Sequence, residues 1–281
     1  MLKQRIITAL IMLPIFLGGL FWTSPVGFAW FTGLLVMVAA WEWARMGGIE
    51  AQGGRIAFAV ATGALLPLGT SLPSTLVLLL AFVGWTGATW LVMTWPTFKT
   101  LWSRPVVRLV SGFLLLQATW LALLNLRTAG WTLAGDVPGE LLILYVFLIV
   151  WCADVGAYFA GRRWGRRKLA PLVSPGKSVE GAVGGLVAVS VLPFLCGAWA
   201  GLDMSAQLML WLVSLVTAAY SIVGDLLESL AKRVVGLKDS SQILPGHGGI
   251  MDRIDSVTAA APIFCFLLVL LGWLSSSAGA A

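Results

Sequence analysis

Charged residues are scarce in this sequence: they make up 11% of its 281 positions, whereas apolar residues make up 59%. Soluble domains usually carry about a quarter charged residues, because their surface faces water. A chain with half that fraction has too little polar surface to cover a water-soluble globule. The composition therefore excludes an ordinary soluble domain and predicts a protein that is solvated mainly by lipid.

Side chains that bind zinc or form disulfides are also few. His247 is the only histidine, and the three cysteines, Cys152, Cys196 and Cys265, show no CxxC spacing. A zinc site usually needs several such ligands close together. We therefore expect no zinc site and no disulfide framework, and we interpret the cysteines as small packing residues.

A nucleotide-binding P-loop is absent as well. Gly176-Lys177-Ser178 matches the end of that motif. The motif also needs a glycine five residues before Gly176 and a strand before it, but position 171 is a proline. A P-loop is therefore excluded.

Long apolar runs are what the sequence does contain. They lack the period-2 alternation of barrel strands, and a helix crosses a bilayer in about 20 residues. We predict an all-α, polytopic membrane protein of about nine transmembrane helices in one membrane domain, 1–281. The run at 56–72 is the weakest, because it is short and contains Gly63, Pro67 and Gly69. The nine runs lie near 5–22, 26–41, 56–72, 75–95, 106–126, 139–160, 179–199, 206–224 and 256–275.

The basic residues predict the orientation. With nine spans, all of the 18 Lys and Arg residues except Arg127 fall on one side of the membrane. Such a bias marks the cytoplasmic side, so we expect the N-terminus in the cytoplasm and the C-terminus outside. The first run lacks a small-x-small cleavage site before Pro25 and is interpreted as a retained span. The net charge of +6 is explained by attraction to anionic headgroups rather than by nucleic acid.

The acidic residues point to the second half of the chain. An acid at the end of a span is costly unless it is paired, hydrated or bound to a cation. Glu42 and Glu50 are assigned to an early cytoplasmic loop. We therefore expect 136–281 to be the catalytic half and 1–135 to be a helical scaffold. Seven acids lie on the cytoplasmic side or at that boundary in the second half: Asp154, Glu180, Asp225, Glu228, Asp239, Asp252 and Asp255.

Helical spacing groups these acids with other polar side chains. Asp154 and Tyr158 are four residues apart and share a helix face. In residues 224–233 an interfacial helix with an ordinary Glu228–Lys232 ion pair accounts for Glu228, but it does not account for Asp225 at the apolar boundary.

The last span begins with a second pair of acids. Asp252 and Asp255 are three residues apart, where the helix dipole favours negative charge. Carboxylates without His or Cys partners favour Mg²⁺. Mg²⁺ beside Lys and Arg is typical of phosphoryl or nucleotidyl transfer. The residues alone predict that chemistry at the cytoplasmic interface and identify neither the nucleotide nor the lipid.

One long signature resembles that of the phosphatidate cytidylyltransferases. Ser178 stands where that family often has threonine, which keeps the hydroxyl. The signature stretches are Ser229-Leu230-Ala231-Lys232-Arg233, Lys238-Asp239 and Pro245-Gly246-His247-Gly248-Gly249-Ile250-Met251-Asp252-Arg253-Ile254-Asp255. Upstream matches are Asp154, Tyr158, Gly161, Ser174-Pro175, Lys177, Glu180-Gly181 and Gly224-Asp225.

The resemblance implies that phosphatidate attacks the α-phosphorus of CTP, which releases pyrophosphate and forms CDP-diacylglycerol. It implies that Asp225 and Asp252 hold Mg²⁺ and a possible second cation, with Asp255 assisting or holding Arg253. It also suggests a homodimer in the cytoplasmic membrane with its active site facing the cytoplasm. The implied basic groups around the phosphates are Lys177, Lys232, Arg233, Lys238 and Arg253, with Asp225, Asp252, Lys232 and Arg253 as the catalytic set. The other implied substrate-binding residues are Ser174, Ser229, Asp239, His247, Gly248 and Gly249.

Three other functions remain open at this point. A CTP-dependent polyprenol or lipid kinase would transfer the γ-phosphate and release CDP. An ion-coupled transporter would use Asp154 and Asp225 as an ion path, although transporters usually place polar groups near the midplane of internal repeats. An assembly scaffold without chemistry would need neither Asp225 nor Asp252.

Overall fold

The computed structural model describes residues 2–128, 131 and 137–274, except for the side chains of residues 2, 3 and 5. The predicted boundary between a scaffold and a catalytic half, at 135/136, lies outside these residues. The helices are α1 (Leu2–Phe21), α2 (Pro25–Met46), α3 (Gln52–Ala64), α4 (Leu66–Thr70), α5 (Ser74–Met93), α6 (Lys99–Trp102), α7 (Pro105–Thr128), α8 (Gly139–Trp164), α9 (Val179–Val189), α10 (Leu192–Trp199), α11 (Met204–Val234) and α12 (Met251–Leu270). The strands are β1 (Lys168–Ala170) and β2 (Ser174–Ser178).

Seven helical segments of the described chain are long and apolar enough to cross a membrane: α2, α5, α7, α8, α9 together with α10, α11 and α12. Helix α1 adds a shorter apolar stretch, Ile6–Phe21. Large apolar side chains such as Trp30, Leu34, Val83 and Val187 are exposed on these helices, as expected where lipid replaces water. The prediction of an all-α polytopic membrane protein is confirmed, and the count of nine spans stays a prediction.

The weakest predicted span, 56–72, is divided between α3 and α4. Helix α3 ends at Ala64, and α4 begins at Leu66 with Pro67 in its first turn. Proline has no N–H to donate and is well accommodated at the start of a helix, so it favours a new helix over a continuous one. Neither piece is long enough by itself to cross a bilayer.

Helix α12 lies at the centre of the helix packing. Helix α12 is the most buried of the seven candidate spans. At its N-terminal end the buried side chain of Met251 packs in a cluster with Trp43 of α2, Trp85 of α5 and Leu226 of α11. Helix α12 therefore brings the N-terminal helices against α11.

Helix α11 is one continuous helix of 31 residues, so the predicted polar segment 224–233 is its last part rather than a separate interfacial helix. Asp203 caps its N-terminal end, and Oδ1 of Asp203 accepts from the N–H of Ala206 at 2.8 Å. This hydrogen bond holds the pKa of the Asp203 carboxyl below its usual value. At about 1.5 Å per residue, α11 is roughly 45 Å long and reaches beyond the bilayer core.

A short antiparallel hairpin follows α8. Strands β1 and β2 pair Lys168 with Ser178 and Ala170 with Ser174. Glu180 fixes the hairpin, because its carboxylate accepts from the backbone N–H groups of Arg166 and Arg167 at 3.0 and 3.1 Å. The hairpin carries Lys177 towards α11.

Candidate functional site

Lys177 of the hairpin and Asp225 of α11 form an ion pair, with 2.7 Å between Nζ and Oδ2. Asp225 Oδ1 accepts a hydrogen bond from the hydroxyl of Ser229, one helical turn later, at 3.2 Å. Both charged side chains are about 30% exposed, at 27% and 31%, so solvent or a ligand can reach them. Asp225 is therefore paired and accessible, which is how an acid at an apolar boundary is tolerated.

Lys232 lies between two carboxylates in the interior. Its Nζ contacts Glu228 Oε2, and it donates to Asp252 Oδ1 at 2.6 Å. The side chain of Glu228 is 1% exposed and that of Asp252 is 6% exposed. The prediction of an ordinary Glu228–Lys232 pair on an interfacial helix is thus wrong about the environment of the pair. Both side chains are largely buried, and Lys232 also contacts a second carboxylate, that of Asp252. Breaking a buried pair is far more costly than breaking a surface one.

The second oxygen of Asp252 holds the loop that precedes α12. Oδ2 accepts from the backbone N–H of Ser240 at 2.9 Å, from the Ser240 hydroxyl at 2.7 Å and from the N–H of Gly249 at 2.8 Å. Gly248 has a φ of +82°, and a Cβ there would lie 2.5 Å from Asp252 Oδ2. Glycine is therefore required at 248 both by conformation and by space.

Asp255 lies beside Asp225 because α11 and α12 pack closely at Gly224. A Cβ on Gly224 would lie 2.5 Å from the carbonyl oxygen of Asp255. The Asp255 carboxylate accepts from the N–H of Ser256 at 2.7 Å. The structure thus brings Asp225, Asp252 and Asp255 to one end of the α11–α12 pair.

A cavity of about 400 Å³ opens between α8, the hairpin, α9 and α11. Asp154 and Tyr158 both line it, as their shared helix face predicts, and Lys177 of the hairpin lines it as well. Arg162 also lines it and donates to the Tyr158 hydroxyl at 3.1 Å. Because Lys177 also contacts Asp225, the cavity and the carboxylates form one site. Its lining consists of Ala153, Asp154, Ala157, Tyr158, Gly161, Arg162, Leu169, Gly176, Lys177, Ser178, Gly181, Ala182 and Ile222.

Four predicted site residues lie at the exposed edge of this site. Arg233, Lys238, Asp239 and Arg253 are exposed, and Arg233 Nη1 donates to the carbonyl oxygen of Leu237 at 3.3 Å. Their exposure leaves these four side chains accessible to a ligand, whereas Lys232 and Asp252 are held in the interior by their mutual contact.

The remaining predicted residues have structural contacts. Ser174 starts β2 opposite Ala170. The backbone N–H of His247 donates to the carbonyl of Leu244 at 2.9 Å and closes the glycine-rich turn. Ser178 caps α9 by accepting from the N–H of Gly181 at 3.1 Å, which is why a hydroxyl is useful at that position.

Glu42 is the residue that sequence reasoning missed. It lies in α2, not in a loop, and is fully buried. Its carboxylate accepts hydrogen bonds from Ser241 and from the N–H groups of Ile250 and Met251, at the start of α12. The only signal in the sequence was its position near the end of an apolar run. Its partners are about two hundred residues away along the chain.

The acidic side chains fit a hard cation by their donor type. Among the described residues, no group of three or more His, Cys, Asp or Glu side chains could hold a metal by itself. Mg²⁺ typically takes one or two carboxylates together with substrate phosphates and water, so such a group is not needed. Asp225 fits this better than Asp252, because its side chain is 31% exposed and each of its oxygens has one contact, from Ser229 or Lys177. The Asp252 side chain is 6% exposed and accepts four bonds from Lys232, Ser240 and Gly249.

The comparisons with known proteins identify the family of the chain. A sequence model of the Cytidylyltransferase family matches residues 3–271. The chain is 49% identical to the phosphatidate cytidylyltransferase of Pseudomonas aeruginosa, over 97% of this chain and 99% of that protein. It is 39% identical to that of Haemophilus influenzae, over 95% and 98%. It is also 44% identical over 127 residues to that of Staphylococcus haemolyticus, which covers 45% and 48% of the two chains. The chain belongs to the Cytidylyltransferase family.

Proposed function

We infer that this chain is a membrane-bound nucleotidyltransferase that makes CDP-diacylglycerol and pyrophosphate from CTP and phosphatidate. Full-length similarity to phosphatidate cytidylyltransferases identifies the reaction. The observation that ties it to the site is the ion pair of Asp225 with Lys177, which lines the cavity, together with the buried pair of Asp252 with Lys232, which lies on the same helix as Asp225. Kinase and transporter functions are not favoured.

The reaction needs charge control more than proton transfer. An oxygen of the phosphatidate headgroup attacks the α-phosphorus of CTP, and the bond from that phosphorus to the oxygen bridging to the β-phosphate breaks. Pyrophosphate leaves with the electron pair. The attacking phosphate is already ionised near neutral pH, so no strong general base is required. The protein must hold two anions together and stabilise the charge that develops between them.

Lys177 and Lys232 are the residues best arranged for this task in our proposal. Each is held by a carboxylate at 2.6 to 2.7 Å, so its ammonium is oriented before a ligand arrives. An oriented cation stabilises developing charge without the cost of rearrangement. Arg233, Lys238 and Arg253, which are exposed, would close around the triphosphate or the lipid headgroup.

Mg²⁺ is the proposed cofactor. Asp225 would hold it, with Asp255 next to it, and a second cation would lie nearer Asp252 only if Lys232 or Ser240 gave up a contact. When bound, the ion would neutralise the phosphates of CTP and polarise the α-phosphorus. Asp252 would serve chiefly to orient Lys232 and the loop from Ser240 to Gly249.

The site is proposed to face the cytoplasm from the inner membrane. Helix α8 has 26 residues and, at about 1.5 Å per residue, spans roughly 39 Å. Glu140 at its start pairs with Arg127 at 2.6 Å, whereas Arg162 and Arg163 lie at its other end, beside the cavity. The excess of basic residues at the cavity end supports a cytoplasmic location. Accessibility of a cysteine introduced at Lys168 or at Glu140, in right-side-out vesicles, tests the orientation.

The activity is tested with purified protein, phosphatidate, labelled CTP and Mg²⁺. We expect a labelled CDP-lipid and stoichiometric pyrophosphate. Release of CDP with a phosphorylated lipid would instead identify a kinase. Turnover that depends on neither phosphatidate nor Asp225 would contradict the proposed site.

A homodimer is proposed as the working assembly. Crosslinking of the protein in native membranes, followed by mass measurement in detergent, tests it. A single monomeric species that retains full activity would contradict the dimer without affecting the reaction.

A further inference from the structure

Glu42 lies outside the signature but has an unusual environment for an acidic residue. It is a fully buried carboxylate inside a candidate membrane span. Burying a charge costs several kcal/mol unless hydrogen bonds or opposite charges compensate. The contacts of Glu42 must therefore compensate this cost.

The contacts of Glu42 all reach one segment, residues 240–251. Met251 N–H donates to Oε2 at 2.6 Å, Ile250 N–H donates to Oε1 at 3.1 Å, and the Ser241 hydroxyl also donates to Oε1. The two backbone N–H groups are at the start of α12, where the helix dipole favours a negative charge. The carboxylate thus holds both ends of the segment that precedes Asp252.

Ser240 connects the two carboxylates. Its hydroxyl lies 2.7 Å from Asp252 Oδ2 and 3.3 Å from Glu42 Oε2. A hydroxyl has one proton, so the shorter contact of the Ser240 hydroxyl, to Asp252, is the stronger bond. Glu42 Oε2 is the more distant acceptor of the same hydroxyl. A Cβ on Gly249 would collide with both Ser240 Oγ and Glu42 Oε1, so the segment can seat on Glu42 only with glycine there.

We propose that Glu42 is a positioning residue for the transfer reaction: it clamps residues 240–251 against α2 and thereby sets the orientation of Asp252 and Lys232. The inference rests on the proposed function. Glu42 does not touch the substrate. It acts through Ser240, Ser241 and the first N–H groups of α12, from the half of the chain that the sequence assigned to scaffold.

The test compares Glu42→Gln with Glu50→Gln in the purified full-length protein. Glutamine keeps the shape of the side chain but replaces one carboxylate oxygen with an NH₂ group. That NH₂ group cannot accept the hydrogen bonds that the oxygen accepts, so the contacts on one side of residue 42 are lost. Glu50 is exposed and close in sequence, which makes it the matched control. Thermal unfolding and monodispersity in detergent report on folding, and initial rates over a range of CTP concentrations give KM and kcat.

We expect Glu42→Gln to raise the KM for CTP and to lower kcat/KM by roughly tenfold to a hundredfold, as for loss of a hydrogen bond to a charged group. Glu50→Gln should change both by less than about twofold. A purely structural role would reduce the amount of active protein and leave KM unchanged. A folded Glu42→Gln protein with an unchanged KM for CTP would overturn the proposal.

Ser241→Ala provides a milder second variant if Glu42→Gln does not fold. It removes one donor to Glu42 and one acceptor for the N–H of Ile243. We expect a KM increase of a few-fold, and an unchanged KM for CTP in the folded Ser241→Ala protein would overturn the proposal. Where Glu42→Gln does fold, the double variant should show an effect smaller than the product of the two single effects, because both changes break the same bond. Fully multiplicative effects would also overturn the proposal. Failure of the wild-type protein to form CDP-lipid would refute the proposed function instead.

Discussion

Lys177 and Asp225 face each other across the junction of the hairpin and α11, with 2.7 Å between the ammonium and the carboxylate. Neither residue is in the long signature around Asp252, yet their contact joins the cavity to that signature. The pair gives the first prediction.

Replacing Lys177 with methionine should lower kcat/KM by about 100-fold, or about 2.7 kcal/mol, which is typical for the loss of one oriented group that stabilises developing charge. The cause is loss of the cation, since methionine keeps most of the side-chain length. Lys168→Met, at an exposed position of the same hairpin, is the control and should change the rate by less than about twofold. Equal effects of the two changes would show that the contact with Asp225 is irrelevant to catalysis.

Replacing Lys232 with methionine should abolish activity and also lower stability. Two largely buried carboxylates, Glu228 and Asp252, would lose their shared cation, at a cost of about 3–5 kcal/mol. Thermal unfolding in detergent measures the effect. Lys238→Met changes an exposed lysine and should leave the unfolding temperature unaltered while it weakens CTP binding. An unchanged unfolding temperature for Lys232→Met would contradict the buried triad.

Replacing Asp225 with asparagine should raise the Mg²⁺ concentration needed for half-maximal activity by tenfold or more, on the order of the loss of one charged ligand. Removal of Mg²⁺ with EDTA should stop the wild-type reaction, and added Mg²⁺ should restore it. Asp203→Asn is the control, because asparagine still caps α11 and lies far along the helix from the site. If Asp225→Asn and Asp203→Asn need the same Mg²⁺ concentration for half-maximal activity, Asp225 does not hold the ion.

Replacing Gly249 with alanine should lower activity by at least about tenfold, since the added methyl group collides with Ser240 and Glu42 and must displace the loop. Gly53→Ala is the control. A Cβ at Gly53 meets no atom within 4 Å, and alanine is the better helix former in α3. Wild-type rates for Gly249→Ala would mean that the loop tolerates a shift away from Glu42.

Much of the site could be predicted from the sequence because its chemistry is local. Asp154 and Tyr158 share a helix turn, and Asp252 and Asp255 begin an apolar run, so helical periodicity alone groups them. Asp225 stood out because an acid at an apolar boundary needs a partner. The nature of that partner, Lys177, was not predictable from spacing, because the short hairpin that carries it shows no periodic pattern.

The rest depended on tertiary contacts. The sequence assigns Glu42 to an early cytoplasmic loop, since nothing near it in the sequence marks it as buried. Glu228 and Lys232 have the spacing of an exposed ion pair, and only the packing of α12 against α11 encloses them. The break at Pro67 could be anticipated from proline chemistry, although the sequence was interpreted there as one weak span.

The bonds from Ile250 and Met251 to Glu42 join residues 208 and 209 positions apart. During synthesis, Glu42 of α2 therefore lacks these two donors until the start of α12 has been made. A chain that ends before α12 lacks Asp252 and the N–H group of Met251, which donates to Glu42. We expect transferase activity to appear only when α12 has docked, so that a chain truncated just before α12 is inactive.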